Sequence, residues 1–166
     1  MRYRIERDLE PPAPNEWCDN ERLFLWADHC QFSVGEKPDS TEGFEVFPLY
    51  AYIHSGVALS LGNSEYPFSD RWDSGQVGFV YVSKDPGEFG ERPLDRVAQS
   101  LVDEWNTYLC GDVWGYVIED EDGEHVHSCW GFYGEKFCET EAKQALKFEE
   151  QYRVAEIAKI DLVWAY

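Results

Sequence analysis

Apolar residues recur three and four apart from Leu94 through Val97, Ala98, Leu101, Val102 and Trp105 to Leu109. That spacing predicts a helix over about 93–109. Pro93 suits its first turn, where a missing N–H costs nothing, and Gly111 closes it. A less regular series of Ala142, Ala145, Leu146, Glu149, Tyr152 and Ile157 predicts a second helix over about 139–158. Between and before them the pattern is that of strands. Residues 2–6, 22–26 and 44–53 are strand-like, 57–61 is a further apolar run, and 76–83, rich in β-branched and aromatic residues, is the clearest strand. Pro48 marks the 44–53 segment as an edge strand or a broken one. Residues 112–119 and 124–132 form a hairpin about Asp122-Gly123, and 162–166 form a closing strand. Three prolines within 10–15 break any regular element, and 33–43 has the composition of a loop. The sequence shows no internal repeat and no low-complexity linker. These elements predict one α+β domain over 1–166, its two principal helices packed on a mainly antiparallel sheet.

Composition sharpens this picture. The chain has 166 residues, 43% of them hydrophobic, with 10 Phe, 10 Tyr and 7 Trp. That is core enough for a folded domain and too aromatic for an acidic disordered chain. Thirty-three acids against 14 bases give a formal charge of −19. Such a field repels nucleic acid and anionic membrane and attracts a basic partner. No apolar stretch has the ~18 residues of a membrane span, and the basic start at Arg2, Arg4 and Arg7 has no apolar run behind it as a signal peptide would. Five cysteines, Cys18, Cys30, Cys110, Cys129 and Cys138, form no disulfide framework and are read as reduced thiols in a cytoplasm.

Candidate chemistry is sparse. His125, His127 and Cys129 alternate along a predicted strand, which puts them on one face. Those residue types suit zinc, with Cys138 or an acid as a fourth ligand. Against this, the spacing lacks a paired Cys-x-x-Cys, and two ordinary histidines beside a strand cysteine account for the pattern, so the expectation is no cofactor. Ser55 beside His54, Ser74 after Asp73, and the cysteines are pieces of nucleophilic chemistry, but sequence adjacency does not make a triad. Gly-x-Ser-x-Gly is absent. Gly87-Glu88-Phe89-Gly90-Glu91 lacks the Lys-Ser/Thr of a phosphate loop. With so many acids, a pair of carboxylates means little alone.

The charge itself is the distinctive feature. Glu119, Asp120, Glu121, Asp122 and Glu124 place five acids in six residues at the predicted hairpin tip. A second acidic loop holds Glu65, Asp70 and Asp73 beside the aromatics Tyr66, Phe68 and Trp72. The predicted last helix alternates acids with bases, the pattern of a solvated face. Unbalanced charge should therefore lie on the loops and the hairpin. It serves solubility, or it stands in for duplex DNA, whose phosphates place one charge per ~1.7 Å of axis.

The segments Arg71-Trp72-Asp73-Ser74-Gly75-Gln76-Val77-Gly78-Phe79-Val80-Tyr81-Val82 and Cys129-Trp130-Gly131-Phe132-Tyr133-Gly134, with Leu49-Tyr50 and His54-Ser55-Gly56, carry a resemblance. They resemble small acidic proteins encoded by phages, plasmids and other mobile elements, a group without an assigned activity. The resemblance covers roughly 44–134 and implies a setting rather than a reaction. Small acidic proteins of that setting include inhibitors of restriction enzymes and CRISPR complexes, several of them DNA mimics. The expectation is a non-enzymatic, cytoplasmic inhibitor of a nucleic-acid-binding host complex. Its contacts would be Glu119, Asp120, Glu121, Asp122 and Glu124, then Glu65, Asp70 and Asp73. The alternatives are a metal protein or enzyme built on His125, His127 and Cys129, and a virion or replication accessory protein whose charge serves solubility.

Overall fold

A computed structural model describes residues 1–17, 21–62, 67–69, 72–85 and 87–163, and the side chains of these apart from 17, 88 and 157–163. The fold is α+β, with antiparallel pairing throughout. The chain divides into two compact units: its middle, Pro12–Cys110, is one, and its ends, Met1–Pro11 and Gly111–Tyr166, form the other.

The middle unit holds β2 (Leu23–His29), β3 (Phe32–Val34), β4 (Phe44–Ile53), β5 (Val57–Leu61) and β6 (Ser74–Ser83), in the sheet order β3-β2-β6-β4-β5. Alternate residues Leu25, Ala27, Leu49, Ala51, Leu59, Leu61, Val80 and Val82 turn to one face. There they meet Val97, Ala98, Val102 and Trp105 of α2 (Leu94–Leu109). The other face is aromatic. Phe24 stacks on its cross-strand partner Tyr81 at 4.8 Å, and Trp26 on Phe79 at 6.2 Å. Between them β2 and β6 approach so closely that a Cβ on Gly78 would overlap the Trp26 carbonyl.

Asn106 ties α2 to the sheet edge. Its amide accepts the Leu59 N–H at 2.7 Å and donates to the Leu59 carbonyl at 2.9 Å, completing β5 on the side away from β4. Asn106→Leu leaves both backbone groups short of a partner in a half-buried place, at about 1–3 kcal/mol for an unsatisfied group. The expected outcome is faster amide exchange at Leu59 than anywhere in β6. Unchanged exchange there would show that water replaces the side chain.

The other unit pairs β1 (Arg2–Arg7) with β7 (Val113–Glu119), and β7 with β8 (His125–Tyr133). Its helix α3 (Glu135–Val163) lies on the face that carries Tyr3, Ile5, Trp114, Tyr116, Ile118, Val126 and Phe132. Cys138, Ala142, Ala145 and Leu146 are its contact residues. From Glu150 to Glu156 every residue of α3 is exposed.

Several elements differ from the sequence reading. The proline segment does not exclude structure: Pro14 opens a four-residue helix, α1 (Pro14–Trp17), because the first helical position needs no N–H. Part of the expected loop is β3, folded back on β2 through Cys30-Gln31 without glycine. Pro48 sits inside the sheet, since β4 runs between β6 and β5. Its carbonyl receives Gly62 N–H just beyond the paired part of β5, so its lacking N–H faces the place where that ladder ends. The helix expected over 139–158 begins at Glu135, where the Gly134 carbonyl accepts the first N–H groups. It continues through Leu162 and Val163, which are helical rather than part of a closing strand. Residues 164–166 lie outside the described residues. Among the described residues, no helix is long and apolar enough to cross a membrane.

Candidate functional site

The acidic hairpin forms where it was expected, but its charge is partly spent within the fold. Glu119 pairs across the strands with Arg2, on the face away from α3. Its carboxylate receives Arg2 Nε and Arg4 Nε, both at 3.1 Å. Arg4 is also paired with Glu6. Asp120 builds the turn: one oxygen accepts the Asp122 and Glu124 N–H groups at 3.0 Å, and the other meets Arg153 at 3.3 Å. Gly123, at φ 85°, allows the chain to reverse. Glu121 is 3.9 Å from the N-terminal amine and otherwise exposed. Asp122 and Glu124 are exposed, with no ion pair among the described residues.

Those hydrogen bonds hold three carboxyls below their ordinary range. Arg4 and then Arg2 lower Glu119, the Glu124 N–H leads for Asp120, and Lys143 lowers Glu139. A lowered folded value means stability that is present above the ordinary carboxyl range and lost as pH falls through the folded values. Acid also relieves the repulsion of the whole acidic chain. The melting temperature of Arg2→Ala/Arg4→Ala relative to the parent separates the two effects. The deficit should be clear at neutral pH and should close as pH drops through and below the ordinary range of about 4–4.5. A deficit unchanged by acid would mean the arginines act by packing alone.

Of the second acidic loop, Glu65 and Asp70 lie outside the described residues, as does Tyr66. Asp73 receives His54 Nδ1 at 2.9 Å, joining the β4–β5 turn to the start of β6. The two residues that sequence adjacency left unlinked thus meet. With His29, Cys30, Trp72 and Ser74, Asp73 borders a shallow cavity of about 350 Å³ at one end of the sheet. Trp72 is 97% exposed, and the Phe68 ring lies 6.0 Å from Tyr52.

The expected one-face His/His/Cys arrangement does not form. Ile118 pairs with His127 but Glu119 with His125, so Val126 is an extra residue in β8. This β-bulge shifts the alternation. His127 and Cys129 fall on the α3 side, opposite Ile118 and Tyr116. His125 falls on the other side and meets Ser128 Oγ at 3.1 Å. Among the described residues, no group of three or more His, Cys, Asp or Glu stands close enough to hold a metal ion.

On the α3 side, His127 Nε2 is 3.2 Å from the Tyr116 hydroxyl. With this pair, Glu141, Gln144, Ala145, Phe148 and Glu149 of α3 line an open hollow of about 430 Å³. Burial raises the Tyr116 phenol, and the neighbouring Cys129, Glu141, Cys138 and Glu149 side chains add to it in that order. The phenol is therefore neutral at physiological pH. Sequence reading missed this hollow because Tyr116 and Glu141 meet only through the packing of α3 on the sheet.

The described cysteines differ in access. Cys138 is fully buried, and burial followed by Cys129 pushes its thiol up to about 11. Cys30, Cys110 and Cys129 are exposed. Because the thiolate is the reactive form, those three are expected to react with a maleimide before Cys138, whose labelling should follow unfolding. Peptide mapping after a short pulse checks this, and early labelling of Cys138 would contradict the packing of α3. Cys18 lies outside the described residues.

No family model matches the chain, and no curated protein or solved structure matches it.

Proposed function

We propose that the chain is a non-enzymatic binding protein that occupies the nucleic-acid site of a basic host complex, such as a CRISPR effector or a restriction enzyme. The observation that carries this reading is the economy of the hairpin tip. Glu119 and Asp120 are engaged by Arg2, Arg4, Arg153 and the turn's own N–H groups. Glu121, Asp122 and Glu124 are thereby held outward on a pinned loop. Fixed carboxylates neutralise lysines and arginines at less entropic cost than mobile ones. In the middle unit Glu36, Asp39, Glu42 and Glu91 are also exposed, with no ion pair among the described residues. They add to the negative charge of the chain, which attracts a basic partner. The resemblance supplies the setting, in which DNA-binding defence complexes are such grooves.

The test is phage plating and plasmid transformation in cells carrying defined CRISPR and restriction systems, with and without the protein. Rescue by one system, with DNA binding as the blocked step in a gel-shift competition, supports the reading. Absence of rescue across a broad panel overturns it.

A further inference from the structure

We propose that the hollow between α3 and the β7–β8 pair binds a guanidinium group, the arginine side chain of a basic protein partner. The partner's nature rests on the reading above; the chemistry of the pocket does not. Glu141, Ala145 and Glu149 form one i, i+4 row on α3, directed at the sheet. The small Ala145 between two carboxylates opens the space, and Phe148 and Tyr116 supply ring surface at its edge and floor. Eight residues of helix separate the carboxylates by about 12 Å at 1.5 Å per residue. They therefore mark the two ends of a trough rather than one chelating pair.

Neither carboxylate has an ion pair or hydrogen bond among the described residues, although Lys143 and Lys147 stand on the same helix; Lys143 goes to Glu139 instead. The hollow, lined also by His127, thus offers acceptors and aromatic faces without a lysine or arginine of its own. Glu141 borders the hollow together with the Tyr116 phenol, and its carboxylate is taken as the one that acts with it. A guanidinium donates N–H bonds to Glu141 and to the phenol oxygen while its plane lies against a ring. An ammonium is a point charge without the planar fork and gains less from such a site. His127, which also lines the hollow, fixes the phenol through its 3.2 Å contact.

The test uses the whole protein and agmatine, a guanidinium on a short aliphatic stem, followed by NMR at the His127 and Tyr116 rings. A saturable shift is expected, with a dissociation constant on the order of 1 mM. Glu141→Gln should weaken it about tenfold, in line with loss of a charge-assisted hydrogen bond. Glu149→Gln should weaken it less, and Asp122→Asn not at all. Butylamine should bind more weakly than agmatine. No shift at the two rings, or an equal shift with the neutral urea analogue of agmatine, overturns the proposal. Agmatine needs no partner. Binding without rescue of any defence-targeted phage therefore removes the partner class and keeps the guanidinium pocket, while rescue without binding removes the pocket alone.

Discussion

Replacing Trp105 with alanine is expected to destabilise the middle unit by about 3–5 kcal/mol, the cost of deleting a buried large aromatic. Trp105 is 4% exposed and is the last of the buried residues on α2's inward face. It meets Phe32 edge-on at 5.9 Å and Tyr108 at 5.7 Å, so it joins the helix to the β2–β3 hairpin. It also borders a cavity of about 520 Å³ with Leu23, Leu25, Leu101 and Glu104. Removing the ring enlarges that space toward Phe32. Glu104 tempers the effect, because a carboxylate at the wall lets water enter where an apolar void would stay dry. Burial now raises the Glu104 carboxyl, and wetting should return it toward its ordinary value. Against total stabilities of roughly 5–15 kcal/mol, such a loss leaves the unit marginal. Urea denaturation followed by circular dichroism measures it. A loss within about 0.5 kcal/mol, as at surface positions, would show that α2 does not rest on this ring.

The same residue shows what was legible. Trp105 stands in the helical repeat of Leu94, Val97, Ala98, Leu101 and Val102, and that repeat is buried against one sheet. β4 spans the 44–53 segment read from its alternation, and β6 adds only Ser74 and Gly75 to the expected strand. Local periodicity reports burial, so these elements were visible. β3 was not, since three residues carry no period and their turn lacks the usual glycine. Gly78 read as one more strand residue, while its role is to let two backbones approach.

The candidate sites were legible as residues and not as chemistry. The run of acids at the hairpin is plain in the sequence. Its neutralisers are not, because Arg2 and Arg4 lie 117 and 115 residues from Glu119 and reach it through the pairing of β1 with β7. The period-two rule placed His125 with His127 and Cys129. One extra residue at Val126 undoes that placement, and the alternation of residue types gives no sign of it.

These long-range pairs determine the second large effect, which concerns binding. Reversing Glu119, Asp120, Glu121 and Asp122 together would confuse two roles. Lysine at 119 confronts Arg2 and Arg4 with a like charge, and lysine at 120 removes the acceptor of the Asp122 and Glu124 N–H groups. Loss of binding in that variant would report a disordered hairpin as readily as a lost contact surface. Reversing Glu121, Asp122 and Glu124 leaves both clamps intact and disturbs only the exposed 3.9 Å contact of Glu121 with the N-terminal amine, so the fold should survive with an unchanged circular dichroism spectrum and a melting temperature near the parent's. Under the proposed function, association with the complex identified by rescue should slow by about 10–10³-fold, the range over which complementary fields accelerate encounter. The remaining association should depend less steeply on salt, because fewer partner charges are neutralised. An unchanged rate in the folded triple variant would move the contact surface off the hairpin. Agmatine binding at the Tyr116 hollow should be the same in that variant as in the parent, since none of the three reversed residues borders the hollow.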